Sequence, residues 1–183
     1  MAALSVCVFC GSSDLVAPVY LDLARSVGEA LGRRGIRLVY GGARTGLMGA
    51  VADATRAHGS TVLGVIPTAL TAREVVHTGI DDLRVVGSMH ARKALMADES
   101  DAFVALPGGF GTMDELFEIV TWRQIRLHDK PIALVNHGGF YDPLVAWIQR
   151  ASDARFIPEH VRAAIEVLPD TAAIGHWLDG LSR

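Results

Sequence analysis

The strongest constraint on this chain is a rhythm. Short, mostly apolar runs alternate with longer stretches in which apolar residues recur at helical spacing. Leu4–Cys10, Ile36–Tyr40, Thr61–Ile66, Ala102–Leu106 and Ile132–Asn136 are such runs, with shorter ones at Leu83–Val86 and Glu166–Leu168. A sheet with one wet face alternates apolar and polar residues, whereas a run apolar throughout is a strand covered on both faces. Between the runs, spacing and stop signals predict helices from Pro18 to Gly35, and over Leu47–His58, Met89–Glu99, Thr112–Leu127, Tyr141–Ala151, Pro158–Ile165 and Thr171–Leu181. Residues 67–82 carry no clear period and read as a long loop. The expected fold is α/β: a single Rossmann-like doubly wound domain over residues 1–183, mainly parallel, with helices on both faces.

Composition removes several classes of function. Half of the residues are hydrophobic and 20% are charged, so the chain is not disordered. The formal net charge is −3, whereas a general electrostatic nucleic-acid binder is normally basic. No apolar run approaches the ~20 residues that span a bilayer. Met1–Ser5 lacks a charged segment leading into a long apolar stretch, so a cytoplasmic location is expected, with no membrane partner. Lys93 and Lys130 are the only lysines, which limits any Schiff-base mechanism to two candidates. Cys7 and Cys10 are three apart in a predicted strand and so point to opposite faces, the wrong geometry for a dithiol. No second cysteine pair completes a zinc site, and the seven histidines show no tight ligand spacing.

In doubly wound sheets, ligands bind beyond the carboxyl ends of the strands. Two strand-to-helix turns there are rich in glycine: Gly41-Gly42-Ala43-Arg44-Thr45-Gly46-Leu47-Met48-Gly49 and Pro107-Gly108-Gly109-Phe110-Gly111-Thr112. Glycines let backbone N–H groups approach a ligand, and a helix N-terminus adds partial positive charge, so the pair points to a phosphate. Tight turns also use glycine for geometry alone. There is no Gly-Lys-Ser/Thr, and the first turn, Cys10-Gly11-Ser12-Ser13-Asp14, lacks the dinucleotide fingerprint. A mononucleotide or sugar phosphate fits better than a dinucleotide.

Glu115 admits two readings. Thr112-x-x-Glu115 matches a capping box, which spacing alone favours. Alternatively, Glu115 lies one turn inside a phosphate-binding helix, where a carboxylate could stabilise a cationic sugar centre and activate water. Arg92 and Lys93 open a helix, where cations oppose the dipole; either they face an anion across the rim or they are solvated surface charges.

The nonapeptide Pro107-Gly108-Gly109-Phe110-Gly111-Thr112-Met113-Asp114-Glu115 resembles the PGGxGTxxE signature of the Lonely Guy family of cytokinin riboside 5'-monophosphate phosphoribohydrolases, long mislabelled as lysine decarboxylases. Val8–Ser13, Val39–Gly42, Gly46–Gly49, Gly64–Pro67, Met89-His90-x-Arg92-Lys93 and His128–Pro131 are similar too, so the likeness covers about residues 5 to 181. It implies hydrolysis of the N-glycosidic bond of a nucleoside 5'-monophosphate to a free N6-substituted adenine and ribose 5-phosphate. It also implies no metal or organic cofactor, and a homodimer or larger assembly. By motif position it assigns catalysis to Arg92 and Glu115. Substrate contacts fall to Glu74, Arg92, Lys93, Gly108, the stretch Gly109–Glu115 (Gly109, Phe110, Gly111, Thr112, Met113, Asp114, Glu115) and Thr121. Gly11, Ser12, Gly41 and Gly42 are additional candidates for phosphate or ribose contact. Ala43 and Phe110 depart mildly from the pattern, where many members have glycine and many plant members tyrosine. The alternative is a carrier of the same architecture that holds a phosphorylated ligand without cleaving it. A pure binder, however, gains nothing from a carboxylate beside an anion.

Overall fold

The computed structural model describes residues 4–71 and 76–181. Seven strands are present among them: β1 (Ser5–Phe9), β2 (Arg37–Tyr40), β3 (Val62–Pro67), β4 (Asp82–Val86), β5 (Ala102–Ala105), β6 (Ile132–Val135) and β7 (Ile165–Leu168). They form one sheet in the order β4-β3-β2-β1-β5-β6-β7, and every pairing is parallel. The helices are α1 (Pro18–Arg33), α2 (Gly46–Ala57), α3 (Met89–Asp98), α4 (Phe110–Gln124), α5 (Asp142–Asp153), α6 (Glu159–Arg162) and α7 (Thr171–Leu181).

The apolar strands are buried because the helices cover both faces of the sheet. On one face, Val6, Val8 and Cys10 of the β1 segment pack with α1, α2 and α7. On the other, Cys7 and Phe9 pack with α3 and α4, with Leu144 and Val145 of α5 at the margin. Both cysteines are free and buried, and they face opposite layers, as their spacing requires.

The strand order determines where a ligand can sit. The chain winds from β1 outward to β4, then returns to lay β5 along the other side of β1. Successive connections therefore part in opposite directions between β1 and β5, leaving a crevice at their carboxyl ends. Gly11 and Pro107 meet there, the Gly11 N–H donating to the Pro107 carbonyl at 3.4 Å.

Three elements differ from expectation. Helix α4 begins at Phe110 rather than Thr112, because Gly109 takes the extended N-cap conformation (φ −97°, ψ −151°). It ends at Gln124 rather than Leu127, where Arg126 turns left-handed (φ 63°). The expected helix Pro158–Ile165 shrinks to α6, because Ile165 is recruited into β7 opposite Ile132. In the long loop, Thr68–Leu70 forms one 3-10 turn and Val76 bridges Ala43.

Candidate active site

The crevice between β1 and β5 opens into a cleft of about 430 Å³, within the range of small-molecule sites. Its floor is Cys10–Ser13 after β1 and Pro107–Gly109 after β5. One wall carries Arg92 and Met89 of α3, Leu47 and Met48 of α2, and Leu70. The other carries Val16, Tyr20 of α1 and Phe140 after β6. Helix α4 points its N-terminus into the space, contributing Gly111, Thr112 and Glu115.

That N-terminus leaves N–H groups without acceptors in its own helix. The first helical bond runs from the Met113 N–H to the Gly109 carbonyl at 3.1 Å. The N–H groups of Phe110, Gly111 and Thr112 precede it, so helix geometry provides them with no carbonyl one turn back. Their partial positive charge faces the cleft. Thr112 is buried over Gly108 so closely that a Cβ on Gly108 would collide with the Thr112 hydroxyl. Glycine is required at that position to let the threonine into the turn.

Glu115 follows three residues later and pairs with Arg92. The Arg92 Nη1 lies 3.5 Å from the Glu115 Oε1, and both side chains are only 5% exposed. Arg92 is immobilised from behind: its Nε donates to the Val65 carbonyl (3.0 Å) and its Nη2 to the Gly41 carbonyl (2.9 Å). A Cβ on Gly41 would strike that guanidinium. Three elements thus fix one cation beside one carboxylate at the cleft wall. A guanidinium at that distance favours the ionised carboxyl. Beneath them the Cys10 thiol is pushed well above its ordinary range, first by burial and then by the negative charge of Glu115. Cys10 is accordingly a neutral thiol with no nucleophilic part. Among the described residues, no group of three or more His, Cys, Asp or Glu side chains is placed to hold a metal ion.

The capping-box reading of Glu115 is overturned. Gly109 is the N-cap, so Thr112 sits at the third helical position and Glu115 lies well inside the helix, paired sideways with Arg92. Gly41 and Gly42 stand behind the cleft wall, where their carbonyls are already engaged. The Gly41 carbonyl holds Arg92, and the Gly42 carbonyl accepts the His77 N–H at 2.9 Å. The N-terminus of α2 is not open to a phosphate. Its Gly46 N–H donates to the Asp14 carboxylate (2.7 Å), and the Leu47 and Met48 N–H groups donate to the Gly11 carbonyl (3.0 and 3.3 Å).

Of the other expected site residues, Gly11, Ser12, Gly108, Gly109, Gly111 and Thr112 line the cleft. Phe110 turns its ring outward, 96% exposed. Lys93 and Asp114 lie outside the cleft and pair with each other, Nζ to Oδ2 at 3.0 Å. Met113 packs against the core beneath α4. Thr121 lies two turns further along, its hydroxyl donating to the Phe117 carbonyl at 2.6 Å. Glu74 lies outside the described residues. Sequence reasoning missed the apolar wall: Val16, Tyr20, Leu70, Met89 and Phe140. Its only sequence signal is large apolar residues just past strand ends, as in Phe140 after β6, whose ring meets Tyr20 edge-on at 5.6 Å.

Comparison with known proteins agrees with this architecture. A family model described as "Possible lysine decarboxylase" matches residues 48–176. The cytokinin riboside 5'-monophosphate phosphoribohydrolase of Rhodococcoides fascians is 48% identical over 167 residues, covering 91% of this chain and 84% of the relative. The cytokinin riboside 5'-monophosphate phosphoribohydrolase LOG7 of Arabidopsis thaliana is 44% identical over 174 residues, covering 95% and 80%. Among solved structures, the molybdenum cofactor carrier protein of Chlamydomonas reinhardtii superposes with a TM-score of 0.75 over 99% of both chains at 20% identity, a likeness of fold alone. With near-half identity along almost its whole length to proteins of that activity, the chain belongs to the Lonely Guy family.

Proposed function

We propose that this chain hydrolyses the N-glycosidic bond of cytokinin riboside 5'-monophosphates, and of AMP, releasing the free adenine base and ribose 5-phosphate. The observation that carries the reading is the buried Arg92–Glu115 pair, one turn inside a helix whose opening N–H groups face the same cleft. Identity of 48% to the Rhodococcoides fascians phosphoribohydrolase supports the same reaction.

The chemistry follows from that placement. The 5'-phosphate sits on the N–H groups at the start of α4, with the Thr112 hydroxyl beside it. The ribose then lies against Glu115. As the bond from C1' to the base nitrogen lengthens, positive charge builds on the ribose, and the carboxylate is already in place to stabilise it. Water adds its oxygen to C1', Glu115 takes the water's proton, and the departing base nitrogen takes up a proton in turn. Arg92 anchors the substrate and keeps Glu115 charged and correctly turned. A phosphate remote from the broken bond supplies positioning energy, so the riboside without it is a poor substrate. The assembly we propose is a homodimer, and a monomer mass by light scattering at micromolar concentration refutes it.

Product chromatography tests the function. Purified protein is incubated with isopentenyladenosine 5'-monophosphate, AMP and isopentenyladenosine. Free base and ribose 5-phosphate from the monophosphates alone are expected. Tight nucleotide binding without any free base would overturn the enzyme reading and favour a carrier.

A further inference from the structure

The turn from β5 into α4 is tied down group by group. The Leu106 N–H donates to the Phe9 carbonyl at 2.9 Å, and the Pro107 carbonyl accepts from Gly11 at 3.4 Å. Proline has no N–H of its own to anchor. The groups on either side of it, the Leu106 carbonyl and the Gly108 N–H, meet one side chain. Tyr141, the N-cap of α5, donates its hydroxyl to the Leu106 carbonyl at 2.7 Å. The Gly108 N–H approaches the same oxygen, and a hydroxyl can donate and accept at once. The Tyr141 side chain is held in its turn. Its N–H donates to the Asn136 Oδ1 at 2.7 Å, and the Asn136 Nδ2 donates to the Asp142 carboxylate at 2.7 Å. Tyr141 lies behind the cleft, 3% exposed, with the Phe140 ring edge-on to it at 4.8 Å. Burial raises the proton affinity of the phenol, so it remains a neutral donor.

We propose that Tyr141 is the positioning residue of the phosphate seat, its hydroxyl spanning Pro107 to hold the turn that aims the first N–H groups of α4. The inference rests on the reading of that helix start as the seat of the 5'-phosphate. Gly108 and Gly109 follow each other there, and glycine loses more conformational freedom on ordering than any other residue. Gly108 is obliged to be glycine, since a Cβ would strike the Thr112 hydroxyl. The turn therefore gains room for Thr112 at the expense of stiffness, and an outside group has to supply the stiffness. Tyr141 supplies it from beyond β6, the strand next to β5. A turn ordered in advance spares the ligand the cost of ordering it. The residue before Tyr141 is Phe140 of the cleft wall, so one short segment sets both that wall and the seat.

The test compares wild type with Tyr141→Phe, which keeps the ring and removes the hydroxyl, and with Ile174→Val, a core change in α7 remote from the cleft. In the ligand-free protein, amide exchange by NMR is expected to run at least about tenfold faster at Gly108 and Gly109 in Tyr141→Phe, and to change little in β6. Inorganic phosphate, followed by the amide shifts of residues 109–112, is expected to bind about tenfold more weakly. With AMP and isopentenyladenosine 5'-monophosphate, KM rises about tenfold and kcat changes less than about threefold. Ile174→Val lowers the melting temperature but leaves phosphate binding and KM within about twofold. If Tyr141→Phe binds phosphate as wild type does, or if Ile174→Val weakens it as much, the hydroxyl has no positioning role and the proposal is overturned. Asn136→Ala, which withdraws the acceptor of the Tyr141 N–H, takes its place with the same outcomes if Tyr141→Phe does not fold. A wild type that binds phosphate without turnover refutes the phosphoribohydrolase reading alone, and the exchange and binding measurements still decide the role of Tyr141.

Discussion

Replacing Arg92 with methionine separates its electrostatic role from its structural one. The variant keeps much of the apolar stem and removes the guanidinium from a site 3.5 Å from the Glu115 carboxylate, where both side chains are 5% exposed. At that distance and an effective dielectric constant of about 20, the lost attraction is about 4–5 kcal/mol. That agrees with the roughly 3–5 kcal/mol cost of breaking a buried pair from one side. Loss of that attraction raises the proton affinity of Glu115. Two carbonyls, Gly41 and Val65, also lose their donor.

Two consequences run in opposite directions with pH. A carboxyl whose folded affinity for protons is raised destabilises the fold as pH rises above its unfolded titration, because the native state must then hold an unpaired buried charge or keep its proton. Relative to wild type, Arg92→Met is therefore most destabilised in the neutral to alkaline range, with a melting temperature lower by about 10 °C. It is less destabilised near about pH 4.5. Turnover needs the ionised carboxylate, so the residual rate rises with pH over the range in which stability falls. Melting curves by circular dichroism and kcat/KM, both measured from about pH 5 to 9, read the two trends. If rate and stability are both depressed by amounts independent of pH, Arg92 does not hold Glu115 ionised, and the reasoning fails.

Glu115→Gln is expected to lose at least about 100-fold in kcat at every pH while melting within a few degrees of wild type, since the Arg92 guanidinium keeps its bonds to the Val65 and Gly41 carbonyls; circular dichroism beside steady-state kinetics checks both. Tyr40 is fully buried and its hydroxyl has no hydrogen-bond partner among the described residues, so Tyr40→Phe is expected to be neutral or stabilising by up to about 1 kcal/mol in urea melts. A loss above about 2 kcal/mol would reveal a bound partner for that hydroxyl. At the opposite end of the sheet, hydrogen bonds from Arg84, and then from Arg37, hold Glu99 below the usual carboxylate range. A lowered carboxyl contributes stability above its unfolded titration and loses it as pH falls through the folded one. The melting difference between wild type and Glu99→Gln is therefore expected to be full near neutrality and to close below about pH 4.

How much of this could be read in advance depends on what each residue needed to be interpreted. The strands were legible because burial on both faces leaves an uninterrupted apolar run, and Cys7 and Cys10 occupy opposite layers by the period of a strand alone. The start of α4 was misread because Thr112-x-x-Glu115 imitates a capping box, while the true cap, Gly109, has no side chain to announce itself. The glycine-rich turn from Gly41 to Gly49 also has a packing role that its composition does not announce. Gly41 is small to admit Arg92, which arrives from a helix 51 residues away in sequence. Asp14 was visible only as a polar turn residue, yet its carboxylate takes the first N–H of α2. That contact distinguishes two similar glycine-rich turns, because it occupies the start of one helix. An anion at the start of α2 would have to displace Asp14 and the Gly11 carbonyl, both already hydrogen-bonded. At the start of α4 it meets N–H groups with no helical partner, beside the only one of the two helices that also presents Glu115 to Arg92. Tertiary contacts therefore separate the two turns, and the helix whose first N–H groups stay without a helical partner is the one that carries Glu115.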